Sequence, residues 1–349
     1  MNEPENFPQW AGGAPRREIE LLGLSEDDSR KLSATAHAVK SDAAPQWGPQ
    51  RGPGRPERWW LHVLLFLMTG FTTTLAGAWM AGSDPLTFVP FRLSLDALVA
   101  GLSFSVPLLL ILLGHELGHY LVALRRRMDV SPPFFLPAPP WISLVGTFGA
   151  FIRLRSPVPN RAVLLDIGVA GPLASLALSI PAVWLGLLWS PVAPVPAGAV
   201  PTLFALPFGG EPLWLGGSLL FKGMAHLIVG PGQVVVLHPL AFAGWLGLFI
   251  TMLNLLPISQ LDGGHILFAL IGPKQRWAGL AILALLLILG SWWWGWWVWA
   301  GLVLLVGRGR VRHPAVWDPH LPVTGARRLL GWFAALVFVL TFVPIPFRL

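Results

Sequence analysis

Long apolar runs, separated by short polar stretches rich in Pro, Gly and Arg, set the pattern of this chain from residue 59 onward. The runs at 59–80, 97–124, 162–189 and 238–256 are each near the roughly 20 residues that a bilayer core requires, and each predicts a membrane-spanning helix. The run 277–306 is too long for one untilted span and carries Gly290 and Ser291 at its centre, which predicts a tight helical hairpin; a last span is expected over 329–343. Residues 132–154, PPFFLPAPPWISLVGTFGAFIRL, are apolar but broken by prolines, with strand-favouring residues in FFL and GAFIRL. They predict short strands or a hairpin dipping into the membrane interface. Residues 191–237 read as a Pro/Gly-rich connection holding one short helix within EPLWLGGSLLFKGMAHLIVG. The pattern as a whole predicts an all-α polytopic membrane protein of about six to seven transmembrane helices, with a short membrane-associated β element.

Composition agrees, since 54% of the residues are hydrophobic and only 12% charged. Lys and Arg exceed Asp and Glu by 24 to 17, and the excess falls between apolar runs, as a topology signal does. RPER before the first run, RRR at 125–127, RLR at 153–155, Arg161 and PKQR ending at Arg276 all fall on one side if the spans alternate, and that side is expected to be cytoplasmic. A hairpin over 277–306 adds RGRVR at 308–312 and Arg327–Arg328 to the same side, whereas a single span would export them. No interleaved basic and aromatic pattern points to nucleic acid. The chain has no cysteine, which excludes disulfides and thiolate metal sites, so any metal must use His, Asp or Glu. Residues 1–57 are polar and of mixed charge and lack the apolar centre of a signal peptide; they are expected to form a flexible cytoplasmic tail. High Gly, Pro, Arg and Trp usage suggests a bacterial source, and with it the inner membrane.

The chemistry concentrates in HELGH, His115 to His119, inside the second run. Ionisable groups in hydrocarbon are costly and by default functional. On a helix, positions i and i+4 share a face about 6 Å apart along the axis, so both imidazoles can reach one Zn²⁺, and Glu116 stands beside the open coordination position, placed to take a proton from water. A catalytic zinc site wants a third protein ligand. Downstream of Glu116 the acidic residues are Asp129, Asp166, Glu211, Asp262 and Asp318. Asp129, Glu211 and Asp318 lie in polar or basic loops that suit solvation, and Asp166, one turn into the third span, suits an interfacial ion pair. Asp262 stands out in NLLPISQLDGGH, where Pro257 ends a helix and Gly263–Gly264 let the backbone turn back closely. Asn254 is the asparagine inside a predicted span; it either bridges helices or faces a polar cavity, where it would hold a substrate carbonyl or oxyanion. His62, His238, His313 and His320 read as structural or solvated, and His226 and His265 as only weak candidates for the site.

HELGH in an apolar helix, GTFGAFIRL after a Pro-rich stretch, DIGVAGPLAS opening the next span and NLLPISQLDGGH closing a later one together resemble the site-2 protease family of intramembrane zinc metalloproteases. The likeness runs from about residue 97 to 268, with the four motifs in the family's order. It implies a three-helix core, one zinc per chain held by His115, His119 and Asp262, and Glu116 as catalytic base. It also implies that strand 146–154 offers its edge to an extended substrate and that Asn254 lies near the scissile peptide. The expected organisation is a tail at 1–57, a first span and connection at 58–96, a protease core at 97–273 and C-terminal spans at 274–349. The expected substrates are membrane-anchored proteins cleaved in or near their transmembrane segments, with the lipid bilayer as surroundings and the active site toward the cytoplasm; the oligomeric state is open. The rival reading is a transporter or ion-binding protein that uses the same intramembrane His, Glu and Asp without turnover.

Overall fold

In the first apolar run, Trp59–Met80 (α1), the threonines bury their hydroxyls by returning them to the helix's own carbonyls: Thr69 to Leu65, Thr73 to Thr69 and Thr74 to Gly70, at 2.7–2.8 Å. Small residues then let the next helix approach. A Cβ on Gly77 would lie 2.5 Å from the Gly101 carbonyl, so α1 packs backbone to backbone on Leu95–Arg125 (α2). The chain is described here from a computed structural model over residues 57–348, except 84, 89–90, 196–202, 209–210, 315 and 319–321. The expected tail therefore lies, up to residue 56, outside the described residues.

The hairpin Leu86–Phe88 (β1) and Phe91–Leu93 (β2) joins α1 to α2. Ser94 caps α2 by accepting from Ala97 N–H, and the helix closes at the arginines, with Arg127 in the left-handed region at φ 57°. Next comes the anticipated strand pair, Phe134–Pro137 (β3) antiparallel to Thr147–Phe151 (β4). It is pinned to α1 by Thr72 Oγ1 donating to the Gly146 carbonyl at 2.7 Å and by the His62 imidazole on the Pro133 carbonyl at 3.0 Å. Gly146 is obligatory there: its φ is +78° and a Cβ would strike the Thr72 carbonyl at 2.4 Å. Arg161–Leu188 (α3), capped by Asn160, packs against both α2 and Pro239–Asn254 (α5).

Between α3 and α5 the structure departs from the all-α expectation. Val192–Pro194 (β5), Leu203–Phe208 (β6), Glu211–Leu215 (β7) and Gln233–Val236 (β8) join the C-terminal Phe347–Arg348 (β9) in one sheet of order β5-β8-β6-β7-β9. The short helix predicted here is present as Leu219–Ile228 (α4). Prolines in β6 and β7 read as breaks in the sequence, but Pro207 and Pro212 stand opposite each other in the antiparallel register, so both missing N–H groups fall on one rung. α5 is only 16 residues long yet buried on most of its surface, including Phe242, Trp245, Leu248 and Met252. Packed inside protein, it does not need the length that lipid would impose.

Asp262–Ile271 (α6) runs through a 3₁₀ turn into Gln275–Leu289 (α7), and Gly295–Val306 (α8) returns after a turn at 290–294. The expected hairpin is thus present, but its first arm starts at Asp262 rather than at 277. Gly325–Thr341 (α9) completes the helical set, resting on α3 to α6. Among the described residues, four stretches are long and apolar enough to cross a membrane: α1, α2, α3 and the continuous α6–α7 unit from Asp262 to Leu289. Arginines from several of them meet at one end. Arg126 at the end of α2 and Arg327 at the start of α9 both pair with Asp166, the latter at 2.9 Å, while Arg161 donates to the Ala269 carbonyl at 2.8 Å.

Candidate metal centre

The fold brings the two HELGH imidazoles and the LDGG carboxylate together. His115 Nε2 and His119 Nε2 are 3.1 Å apart, and Asp262 Oδ2 lies 3.3 Å from the first and 3.2 Å from the second. A tetrahedral zinc with ligands at about 2.0–2.1 Å separates its donor atoms by roughly 3.3–3.4 Å. The triangle therefore has the dimensions of one face of such a site, and two imidazoles with one carboxylate is a donor set zinc accepts. All three side chains are well enclosed, the histidines fully buried.

Each imidazole is oriented from behind. His119 Nδ1 donates to the Ile167 carbonyl of α3 at 2.8 Å, which leaves Nε2 with its lone pair facing Asp262. His115 Nδ1 donates to Ser175 Oγ at 3.1 Å. Thr251 gives its hydrogen to the Gly247 carbonyl, so the Ser175 hydroxyl donates to Thr251 or to the Pro172 carbonyl, and its lone pair meets His115 in either case. Ser175, Thr251 and the Ile167 carbonyl were not apparent from the sequence, because they act from two other helices. Glycine makes the contact possible: a Cβ on Gly171 would lie 2.1 Å from His119 Nε2. Asp262 reaches the site because α5 ends before Pro257 and the chain turns sharply back. A Cβ on Gly263 would meet the Leu255 carbonyl at 1.9 Å, and one on Gly264 the Ser259 carbonyl at 2.3 Å.

Glu116, also buried, lines a cavity of about 510 Å³ together with His115 and Asn254. The Asn254 amide nitrogen is 3.2 Å from His115 Nε2. One wall of the cavity is β4, from Thr147 to Ala150, and Ile152 just beyond brings its backbone to the Glu116 carboxyl. Among the described residues β4 pairs with β3 alone. The lining also includes an aromatic group: Phe249 of α5, Trp293 and Trp299 of the hairpin, and Phe347 of β9.

Residues 103–289 match the family model for peptidase family M50. The chain belongs to that family, the site-2 proteases. The match encloses the metal triangle, Glu116, Asn254 and β4 of this M50 site and ends with α7, before the aromatic residues Trp293, Trp299 and Phe347 of the cavity wall. The probable chloroplastic zinc metalloprotease EGY1 of Oryza sativa subsp. japonica is 34% identical over 254 residues, covering 67% of this chain and 42% of the relative. EGY1 of Arabidopsis thaliana, likewise named a probable zinc metalloprotease, is 33% identical over 249 residues, 70% of this chain and 43% of the relative. Arabidopsis EGY2 is 32% identical over 224 residues, 62% and 37%. The M50 chain thus spans about two fifths of the length of the curated relatives it matches. These relatives are named as chloroplastic, so they give no support to the bacterial inner membrane expected from composition.

The remaining sequence candidates fall outside the triangle. Asp166 is held by Arg126 and Arg327. His226 is exposed on α4, and His238 caps α5 by accepting from Leu240 N–H. His313, read as structural or solvated, is buried against His265, and burial together with that neighbour pulls its pKa down to about 3. His320 lies outside the described residues.

Proposed function

We propose that this chain is a zinc-dependent intramembrane endopeptidase that hydrolyses peptide bonds in or near transmembrane segments of membrane-anchored proteins. The observation that carries the reading is the convergence of His115, His119 and Asp262 at tetrahedral-edge distances, with Glu116 at the wall of the adjoining cavity. One zinc per chain, held by these three residues, would supply a Lewis acid that makes water nucleophilic near neutral pH and draws charge from a peptide carbonyl. Glu116 takes the proton from the attacking water and returns it to the departing amine. Asn254 offers its amide to the carbonyl oxygen as charge develops there. The free edge of β4 pairs with the substrate backbone once a transmembrane helix has locally unwound, replacing the hydrogen bonds that the helix gives up. The aromatic part of the lining keeps lipid out of the cavity.

In this reading residues 97–273 form the protease core, flanked by the first span and connection at 58–96 and by C-terminal spans at 274–349. The count of about six to seven spans adds α5, α8 and α9 to the four long stretches. The arginine-bearing end faces the cytoplasm or its equivalent, and the site lies toward it. The transporter reading of the same residues is not favoured by the family match. The test is cleavage of a purified, membrane-anchored helical substrate by the chain in detergent or liposomes. Cleavage that is stopped by a zinc chelator, restored by zinc and absent in Glu116→Gln would support the assignment. Zinc binding without any cleavage, whatever the substrate helix, would point to the transporter.

A further inference from the structure

We propose that Gln275 and His313 are positioning residues for the Asp262 carboxylate, acting through a strap at residues 311–314 that lies beyond the family match. The inference rests on Asp262 serving as a zinc ligand.

Asp262 stands at a junction. Before it lies the turn that follows α5; after it, α6 begins with no side chain capping its N-terminus. Its position is therefore set by whatever holds those two pieces. The strap touches both. On the near side, Ser259 N–H donates to the Val311 carbonyl at 2.8 Å, with Ser259 at φ 49°, a backbone state that a non-glycine residue keeps only when its surroundings fix it. Gln275 is almost fully buried, and its Nε2 donates to the Pro257 carbonyl at 2.8 Å and to the Val311 carbonyl at 3.3 Å. Its Oε1 accepts the His313 N–H at 3.0 Å. One amide thus ties the turn to the strap from both of its ends.

On the far side, His313 Nδ1 donates to the Pro314 carbonyl, so Nε2 accepts from His265 Nδ1 at 2.6 Å. The His313 ring also stacks on Phe268, with centroids 4.6 Å apart. Both His265 and Phe268 belong to α6. The strap is seated without slack, since a Cβ on Gly279 of α7 would meet Val311 Cγ1 at 2.6 Å. A metal ligand must be held to within about 0.5 Å of its working geometry. A clamp that grips the chain on both sides of Asp262 meets that demand, and it explains why Gln275 at the start of α7 and His313 in a loop outside the family match are buried together.

The test uses the full chain in detergent and reads the zinc dissociation constant by chelator competition, together with the visible d–d spectrum of the cobalt-substituted protein. Gln275→Leu, and His313→Phe, which keeps the ring stacked on Phe268, are expected to bind zinc about 10- to 100-fold more weakly and to shift the cobalt bands. His313→Gln, which restores an acceptor for His265, is expected to recover most of the affinity, and Arg310→Ala, on the exposed part of the loop, to match wild type. Unchanged affinity and spectrum in His313→Phe and in Gln275→Leu would overturn the proposal. If Gln275→Leu does not fold, the two His313 variants decide. A wild-type chain that binds no zinc would instead bring down the reading of the site itself, whereas wild-type binding with unaffected variants removes only the clamp.

Discussion

His119 Nε2 lies 3.2 Å from Asp262 Oδ2, and α3 makes that approach possible by packing closely on both sides. Toward α2, a Cβ on Gly118 would meet the Ala170 carbonyl at 2.5 Å; toward α6, one on Gly168 would meet His265 Cβ at 3.1 Å. Glycines at the two contacts of α3, Gly118 on α2 and Gly168 on α3 itself, thus set how closely the HELGH helix and the LDGG turn can approach a common metal.

Gly171→Ala tests that geometry. Alanine should favour the helix by about 1 kcal/mol, so a purely local effect would stabilise the chain. The added methyl would instead fall on the His119 ring. Zinc affinity is expected to drop at least about tenfold, measured by chelator competition.

Glu116→Gln separates binding from chemistry. Glutamine keeps the shape but cannot accept the proton, so zinc content should match wild type while the cleavage rate falls by about 10²- to 10⁴-fold. Metal analysis and a single-turnover cleavage assay on the same preparation decide this.

Asp166→Asn is expected to keep its zinc. Asp166 joins Arg126 of α2 to Arg327 of α9, so neutralising it should loosen the seat of α9 and lower the thermal midpoint by a few degrees, without loss of metal. Loss of zinc in this variant would transfer the third-ligand role to Asp166.

Acid should weaken the strap before it weakens the helices. His313 is held neutral, with a folded pKa of about 3 against an ordinary value near 6.5. Between those values the unfolded chain binds the extra proton and the folded chain does not, so stability rises with pH across the window and is lost as pH falls through it. The titratable group in contact with His313 is His265. The slope is expected in thermal unfolding of the metal-free chain from pH 6.5 down to 4, and His313→Gln should flatten it.

The site's chemistry was legible in the sequence where spacing alone fixes geometry. Positions 115 and 119 must share a helix face, and Pro257 with Gly263 and Gly264 must end one helix and fold the next back on it. The helical hairpin followed from run length and from the arginines at 308–312. The long-range pieces were not legible. Ser175, Thr251 and the Ile167 carbonyl orient the imidazoles only because α3 and α5 pack against α2. The sheet over 192–236 was hidden because Pro207 and Pro212 look like breakers until they pair with each other. For His313, in a run of arginines, the sequence left a structural and a solvated role open, and only the folding of its loop onto Gln275 decides between them.

Zinc content per chain of detergent-purified wild type beside Asp262→Ala tests the three-ligand site most directly. One zinc is expected in the wild type and a large loss in the variant. Equal zinc in both would contradict it, because the carboxylate that completes the triangle with His115 and His119 would then not be holding the metal.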